Sequence, residues 1–346
     1  MCLQGLQIDM SKDLRTSQMR RVAELYYEQS LGQSEIARIM SCSTATVSRL
    51  LAGAQEDGIV KFHIERSGDR VPALSRELRE RFGIREAVVV PSSGSAETDL
   101  RAVGDAAADL LLSAVESHTK IGVTWGQTLA HMVQSLSALG REAVRLDGIE
   151  VMQLSGALGQ GNPDIDGPQL ALRLADFFGG VCRLVPAPAL VDSAELCQSL
   201  MRQSQVATAL SRAAHPDIVV QGIGCLDPAL CSLQRAGYLG DAERQAAIDA
   251  GAVGHVFARM IDSQGREVGD YGRRVIAVPL EAIRRARLSI GISASTAKVP
   301  AILAALRAGY FNTLVIDEAS AREVLQLGAA ANDDTAPLES PMEQSI

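Results

Sequence analysis

The sequence predicts an α/β protein in two parts, an N-terminal winged helix-turn-helix domain and a larger, mostly parallel α/β domain. Three observations predict it. Residues 33–56 read as two short helices about a tight turn. From Ala87 onward, short apolar runs alternate with helical stretches. Between the two patterns lies a polar segment carrying Gly and Pro, Arg66 to Pro72, which marks a boundary. At 346 residues, 47% of them apolar, the chain is long enough for both parts and for a sizeable core. The expected division is 13–66 for the first domain, 67–82 for a linker and connecting helix, 83–328 for the α/β domain and 329–346 for a disordered tail.

In the first domain Met1 to Lys12 reads as a mobile leader and Thr16 to Glu28 as a supporting helix, with Met19, Val22, Ala23, Leu25 and Tyr26 inward. The first helix of the pair is QSEIARIM, with Ser34 able to cap it and Ile36, Ala37, Ile39 and Met40 on its inner face. Ser41 and Cys42 make the turn and Ser43 caps the second helix, in which Val47, Leu50, Leu51 and Ala54 recur at helical spacing. A helix-turn-helix needs a small residue where its helices touch and a branched apolar residue plugging the second; Ala37 and Val47, ten apart, supply both. Ser43, Thr44, Thr46, Ser48 and Arg49 are left to project, which suits a major groove and implies operator DNA as a partner. An ordinary helical hairpin shares the helices but not this spacing, nor the apolar run Gly58 to Ile64 that follows as a wing.

Charge and composition limit the function classes. The net charge of −8 argues against a broad nonspecific nucleic-acid surface. Ser11 to Arg66 holds eight Lys/Arg against seven Asp/Glu, so a single reader binds weakly and a homo-oligomer sharing one operator is expected. No run of about 18 apolar residues and no charged-then-apolar leader is present, so a cytoplasmic protein with no membrane partner is expected. The six cysteines form no CxxC pair or histidine cluster and read as incidental thiols, with no metal and no cofactor implied.

In the second domain the candidate strands lie near Val88, Ile121, Val151, Val219, Ile276, Ile290 and Val315. Helical segments fall at 98–117, 128–139, 168–178, 193–213, 241–250, 299–308 and 320–327. Strands apolar on both faces and separated by helices imply a parallel sheet covered on each side. Ligands of such sheets sit beyond the strands' carboxyl ends. There the sequence has Gly122-Val-Thr124-Trp-Gly126-Gln127-Thr128, then Ser155-Gly156 with Asp166 downstream, then Gly222-Ile-Gly224, and last Ser293-Ala-Ser295-Thr-Ala-Lys298. Amides at a helix start beside hydroxyls and a lysine can cradle an anion. A plain Gly/Thr-rich turn has the same composition, and Asp-Gly-Pro is also a helix entry. Neither GxGxxG nor GxxxxGK[ST] occurs, which disfavours dinucleotides and nucleoside triphosphates.

The runs TVSRLLAGAQEDGIVKFHI, IGVTWGQTL, MQLSGALG, GIG, DAGAVGH and STAKVPAILAALRAGYFNTLVIDEASA, in this order, resemble the SorC family of sugar-binding, DeoR-type transcriptional regulators. The resemblance spans Thr16 to Leu327. It implies an effector domain similar to glucosamine-phosphate deaminase and sugar-phosphate isomerase folds, a homotetramer, and a sugar, sugar-phosphate or polyol effector. Carried over by motif, Gly122, Thr124, Gly126, Gln127, Thr128 and Lys298 match the phosphate cradle, while Ser155, Gly156, Asp166, Gly222 and His255 match the sugar side. His255 stands where the family is commonly acidic, Ser155 where some members have Lys or Arg, and Ser and Ala replace a Gly-Gly before Lys298. The first two departures imply a ligand other than a bisphosphate, with an unphosphorylated polyol among the choices, and the third bears on close backbone contact before Lys298. The rival reading is a sugar-phosphate isomerase or deaminase with an appended DNA-binding module. Against it, no carboxylate is paired with His255 in the loops, and His63, His118, His131 and His215 fall on the wing, helix ends or helix faces.

Overall fold

The computed structural model describes residues 4–60, 70–140, 144, 146–159 and 162–333. The chain divides into two compact units, 1–66 and 67–346.

The first unit is helical. A helix spans Gln4–Ala23 and continues as a π-helical turn, Glu24–Glu28, so helix occupies most of the stretch expected as a leader. Helices Gln33–Ile39 and Thr44–Glu56 follow. Val22, Leu25, Ile36, Ala37, Val47 and Leu51 form one buried cluster, so the small residue and the branched plug meet in a single core. Ile39, expected inward, is exposed. Ser34 is not the cap: Gly32 takes that position without a side-chain bond. Ser43 does cap its helix, its hydroxyl accepting the Thr46 N–H at 3.1 Å. Ile59 and Val60 pack against the neighbouring cluster of Met19, Ala23 and Ala54. The rest of the expected wing lies outside the described residues.

The second unit is built on a seven-stranded sheet: β1 Glu86–Val90, β2 Lys120–Val123, β3 Glu150–Gln153, β4 Val181–Arg183, β5 Ile218–Gly222, β8 Leu288–Ser293 and β9 Thr313–Asp317. A separate antiparallel hairpin joins β6 Gly254–Val256 to β7 Arg259–Ile261. The sheet order is β1-β9-β8-β5-β2-β3-β4, with every pair parallel. From β2 the chain moves outward to β3 and β4, then returns to β5 on the other flank, so the order reverses between β2 and β5. Such a reversal opens a crevice at the carboxyl ends of the strands. The register staggers those ends: Val123, the end of β2, pairs with Val220, so β5 runs on to Gly222, which pairs with Ile292 of β8.

Helices cover both faces over two buried clusters, as parallel strands require. The helix Pro72–Phe82 belongs to this unit, with Leu74 and Leu78 buried in its core, and is not a free connector. The run near Ile276 forms no strand. It is buried irregular chain touching its neighbours through single bridges, Leu190 with Val275 and Ser155 with Ala277. The expected 193–213 helix is two, Ala194–Met201 and Ser204–Ala213. The last helix runs through Asp333, past the point where the tail was expected to begin. Among the described residues no helix is long and apolar enough to cross a membrane.

Candidate functional site

Where β2, β5 and β8 end, their loops enclose a cavity of about 110 Å³. Thr124, Trp125, Gly126, Gln127 and Thr128 come from β2, Gly222 to Gly224 from β5, and Ala294, Ser295 and Lys298 from β8. The wall also takes Ser232 and Arg235 from a one-turn helix, His255 with Phe257 from the hairpin, Ala96 and Leu100 from the helix Ala96–Ala114, and Ile165. Among the described residues two cations and no carboxylate line this space.

Gly126 starts the helix Gln127–Leu139 at a φ of 134°, a backbone angle that disfavours any residue with a β-carbon. Its N–H donates to the Ile165 carbonyl at 3.0 Å, anchoring the turn. The first amides of that helix have no carbonyl within it to bond, and Gln127, Thr128 and Leu129 all border the cavity. Their partial positive charge adds to that of the side chains. Across the cavity Ser295 holds a φ of 145°, and Lys298 follows one 3-10 turn later. The Lys298 backbone N–H donates to the Ser295 carbonyl at 3.1 Å, while its ammonium has no hydrogen bond or ion pair among the described residues. Burial holds its ammonium below the usual lysine range; Arg235 pushes the same way, while Cys225 and Asp317 oppose the shift. The Arg235 guanidinium donates to the Ala229 carbonyl at 3.2 Å. His255 is buried, and burial, aided by Lys298, pushes its imidazole down to about 4, so it is neutral at pH 7.

The structure thus brings together Thr124, Gly126, Gln127, Thr128, Gly222, His255 and Lys298. It places the other four expected residues off the cavity wall. Gly122 lies within β2, where a side chain would strike Leu154. Gly156 lies against the Pro188 carbonyl. Ser155 is buried, its hydroxyl 3.3 Å from the Gly156 oxygen. Asp166 spends its carboxylate on backbone: it accepts the N–H groups of Leu158, Gly159 and Gly167 at 2.8–3.0 Å, capping the helix Gly167–Phe177. Arg235 escaped sequence reasoning. A lone arginine in a four-residue helix carries no periodic signal, and only folding brings it to the strand ends.

In the first unit Ser43, Thr44, Ser48 and Arg49 are exposed and Thr46 is half-buried. The Ser43 and Thr46 hydroxyls lie 2.9 Å apart, and Arg49 donates to the Ala45 carbonyl at 3.3 Å and to Thr46 at 3.4 Å. In the unbound protein the guanidinium therefore lies back along its own helix.

A cationic strand-end cavity in an α/β unit, carried in one chain with a separate helical unit, is the arrangement of a ligand-responsive transcriptional regulator. Residues 70–326 match the Sugar-bind family ("Putative sugar-binding domain"), and the chain belongs to it, as a SorC-type sugar-binding transcriptional regulator. It is 29% identical to the transcriptional regulator LsrR of Klebsiella pneumoniae over 313 residues, covering 89% of this chain and 93% of that one. It is 28% identical to the deoxyribonucleoside regulator of Bacillus subtilis, covering 88% and 95%. The crystal structure of the full-length sorbitol operon regulator SorC from Klebsiella pneumoniae is similar, with a TM-score of 0.67 at 27% identity over 90% of this chain and 99% of that one.

Proposed function

We propose that the effector is a phosphorylated sugar or polyol bound in the cavity at the ends of β2, β5 and β8, and that its binding changes how the first unit holds operator DNA. The observation that carries this is the wall itself: two cations and a helix start face one space that no carboxylate borders. An anion there gains charge-assisted bonds from Lys298 and Arg235 and from the first amides of the 127–139 helix. Thr124, Thr128 and Ser295 stand beside them for the ligand's hydroxyls.

The second helix of the first unit, with Thr44, Ser48 and Arg49 outermost, is the DNA-reading element of this proposal, and Ser43 and Thr46 order its first turn. The near-balanced charge of 11–66 makes one reader weak, which supports a homo-oligomer, a tetramer through the α/β units, acting in the cytoplasm. Binding without turnover is the reading the wall supports, because the neutral His255 has no carboxylate beside it in the lining to complete an acid–base pair. The test is operator binding by the purified protein with and without a panel of sugar phosphates. A shift in operator affinity with the sugar phosphate recovered intact is expected; consumption of the sugar phosphate would establish the enzyme instead.

A further inference from the structure

One helix reaches from the cavity to the place where the chain enters the second unit. Ala96 and Leu100, at the start of the helix Ala96–Ala114, border the cavity. Asp109 of the same helix lies about 14 Å farther along its axis, and there its carboxylate accepts the Arg70 guanidinium at 3.2 Å. Arg70 stands just beyond Arg66, where the first unit ends, and its side chain is only 11% exposed. The next residue is fastened too. Val71 donates its N–H to the Val89 carbonyl of β1 at 2.8 Å, and the Val89 N–H donates to the Ser75 hydroxyl at 3.1 Å. The outer edge of β1 is thus spent at Val89 on the incoming chain.

The same helix is locked to a second one that starts at the cavity. Gly104 lies so close to His131 that a β-carbon at 104 would overlap it, and the Ser135 hydroxyl donates to Asp105. His131 and Ser135 belong to the helix Gln127–Leu139, whose first residues border the cavity. Close-packed helices pass a displacement on rather than absorb it. A shift at either helix start therefore moves Asp109.

We propose that the Arg70–Asp109 pair is the contact through which effector binding reaches the DNA-reading unit: it fastens the incoming chain to the Ala96–Ala114 helix, so that movement of this helix at the cavity is delivered to Arg70 and the residues before it. The inference rests on the cavity being the effector site. Neither residue lines the cavity, so both act by positioning. Their loss should leave effector binding in place and remove its consequence, because coupling is a free energy separate from either affinity.

The test is a mobility shift on the full chain, with a duplex selected from a random pool by the wild-type protein and a panel of pentose and hexose monophosphates. In wild type the best monophosphate should change affinity for the duplex by about fivefold or more, and Asp109→Asn and Arg70→Ala should each cut that change below about twofold. Calorimetry with the same monophosphate and binding of the duplex alone should both match wild type. Arg70→Lys should keep part of the response, and exchanging the charges, Arg70→Asp with Asp109→Arg, should restore it. Asp109 is 43% exposed, so Asp109→Asn carries the test where Arg70→Ala fails to fold. A full response in Asp109→Asn overturns the inference and leaves the effector site standing. So does a variant in which thermal midpoint and both affinities fall together, the mark of a pair that only holds the fold. If no monophosphate alters duplex binding by wild type, the effector reading fails and the inference falls with it.

Discussion

Asp317 accepts the backbone N–H of Ser295 at 3.1 Å, tying the last strand of the sheet to the loop that carries Lys298. The same buried carboxylate accepts the Ser320 N–H and hydroxyl at 3.0 and 2.7 Å and the Ser92 hydroxyl at 3.3 Å. The lysine's position thus depends on a carboxylate outside the cavity. Asp317→Ala should lower unfolding free energy by about 2–4 kcal/mol, because several buried groups lose their acceptor at once. Ser295→Gly should do the opposite. It relieves a φ that an L-residue rarely adopts and should stabilise the protein by about 1 kcal/mol. Urea unfolding of the two variants against wild type measures both.

Lys298→Ala removes a charge-assisted contact worth about 1.5–3 kcal/mol, so effector affinity should fall roughly 10- to 100-fold. Operator affinity in the absence of effector should be unchanged, since the first unit is separate in the chain. Calorimetry and a mobility shift, run side by side, check the two halves of this prediction.

Arg49→Ala should weaken operator binding by about 1–3 kcal/mol and relax preference at one base pair if the side chain swings off Thr46 to reach a base edge. A uniform loss across sequences, with a shallower salt slope, identifies a phosphate contact instead. Unchanged footprinting removes Arg49 from the interface.

His255 makes stability depend on pH in a defined direction. Its pKa is depressed from 6.5 to about 4, so between those values the unfolded chain binds a proton that the folded chain refuses. Stability should therefore fall as pH drops from 6.5 to about 4, by a total on the order of 3 kcal/mol from this group, and level off below. His255→Phe should flatten that segment of the profile. An unaltered profile in the variant refutes the assignment.

Light scattering at micromolar concentration should return a mass near four chains. A monomer with full operator affinity contradicts the assembly.

The strands near Val88, Ile121, Val151, Val219, Ile290 and Val315 were legible because each is a buried apolar run bounded by turn residues. β4, β6 and β7 were not, since three residues are too few to show any period. The run at Ile276 misled because burial alone makes a segment apolar: Val275 to Val278 fill the core without pairing along a strand. The break between residues 201 and 204 has no Gly or Pro to announce it. At the site, the loops after β2 and β8 were readable as helix starts preceded by Gly or hydroxyl residues. Asp166 was ambiguous because a carboxylate that caps a helix and one that meets a ligand look alike in sequence, and in the structure it caps a helix.

The chain has a single tryptophan, Trp125, and it stands in the cavity wall with only 7% of its surface exposed. Its emission therefore comes from one known place, beside the atoms an effector would touch. Filling the cavity changes the water and charge around the indole, so intrinsic fluorescence reads occupancy without a label. Mixing protein and ligand rapidly while following that signal times the ligand's arrival, and Lys298→Ala should shift the response to higher ligand concentration.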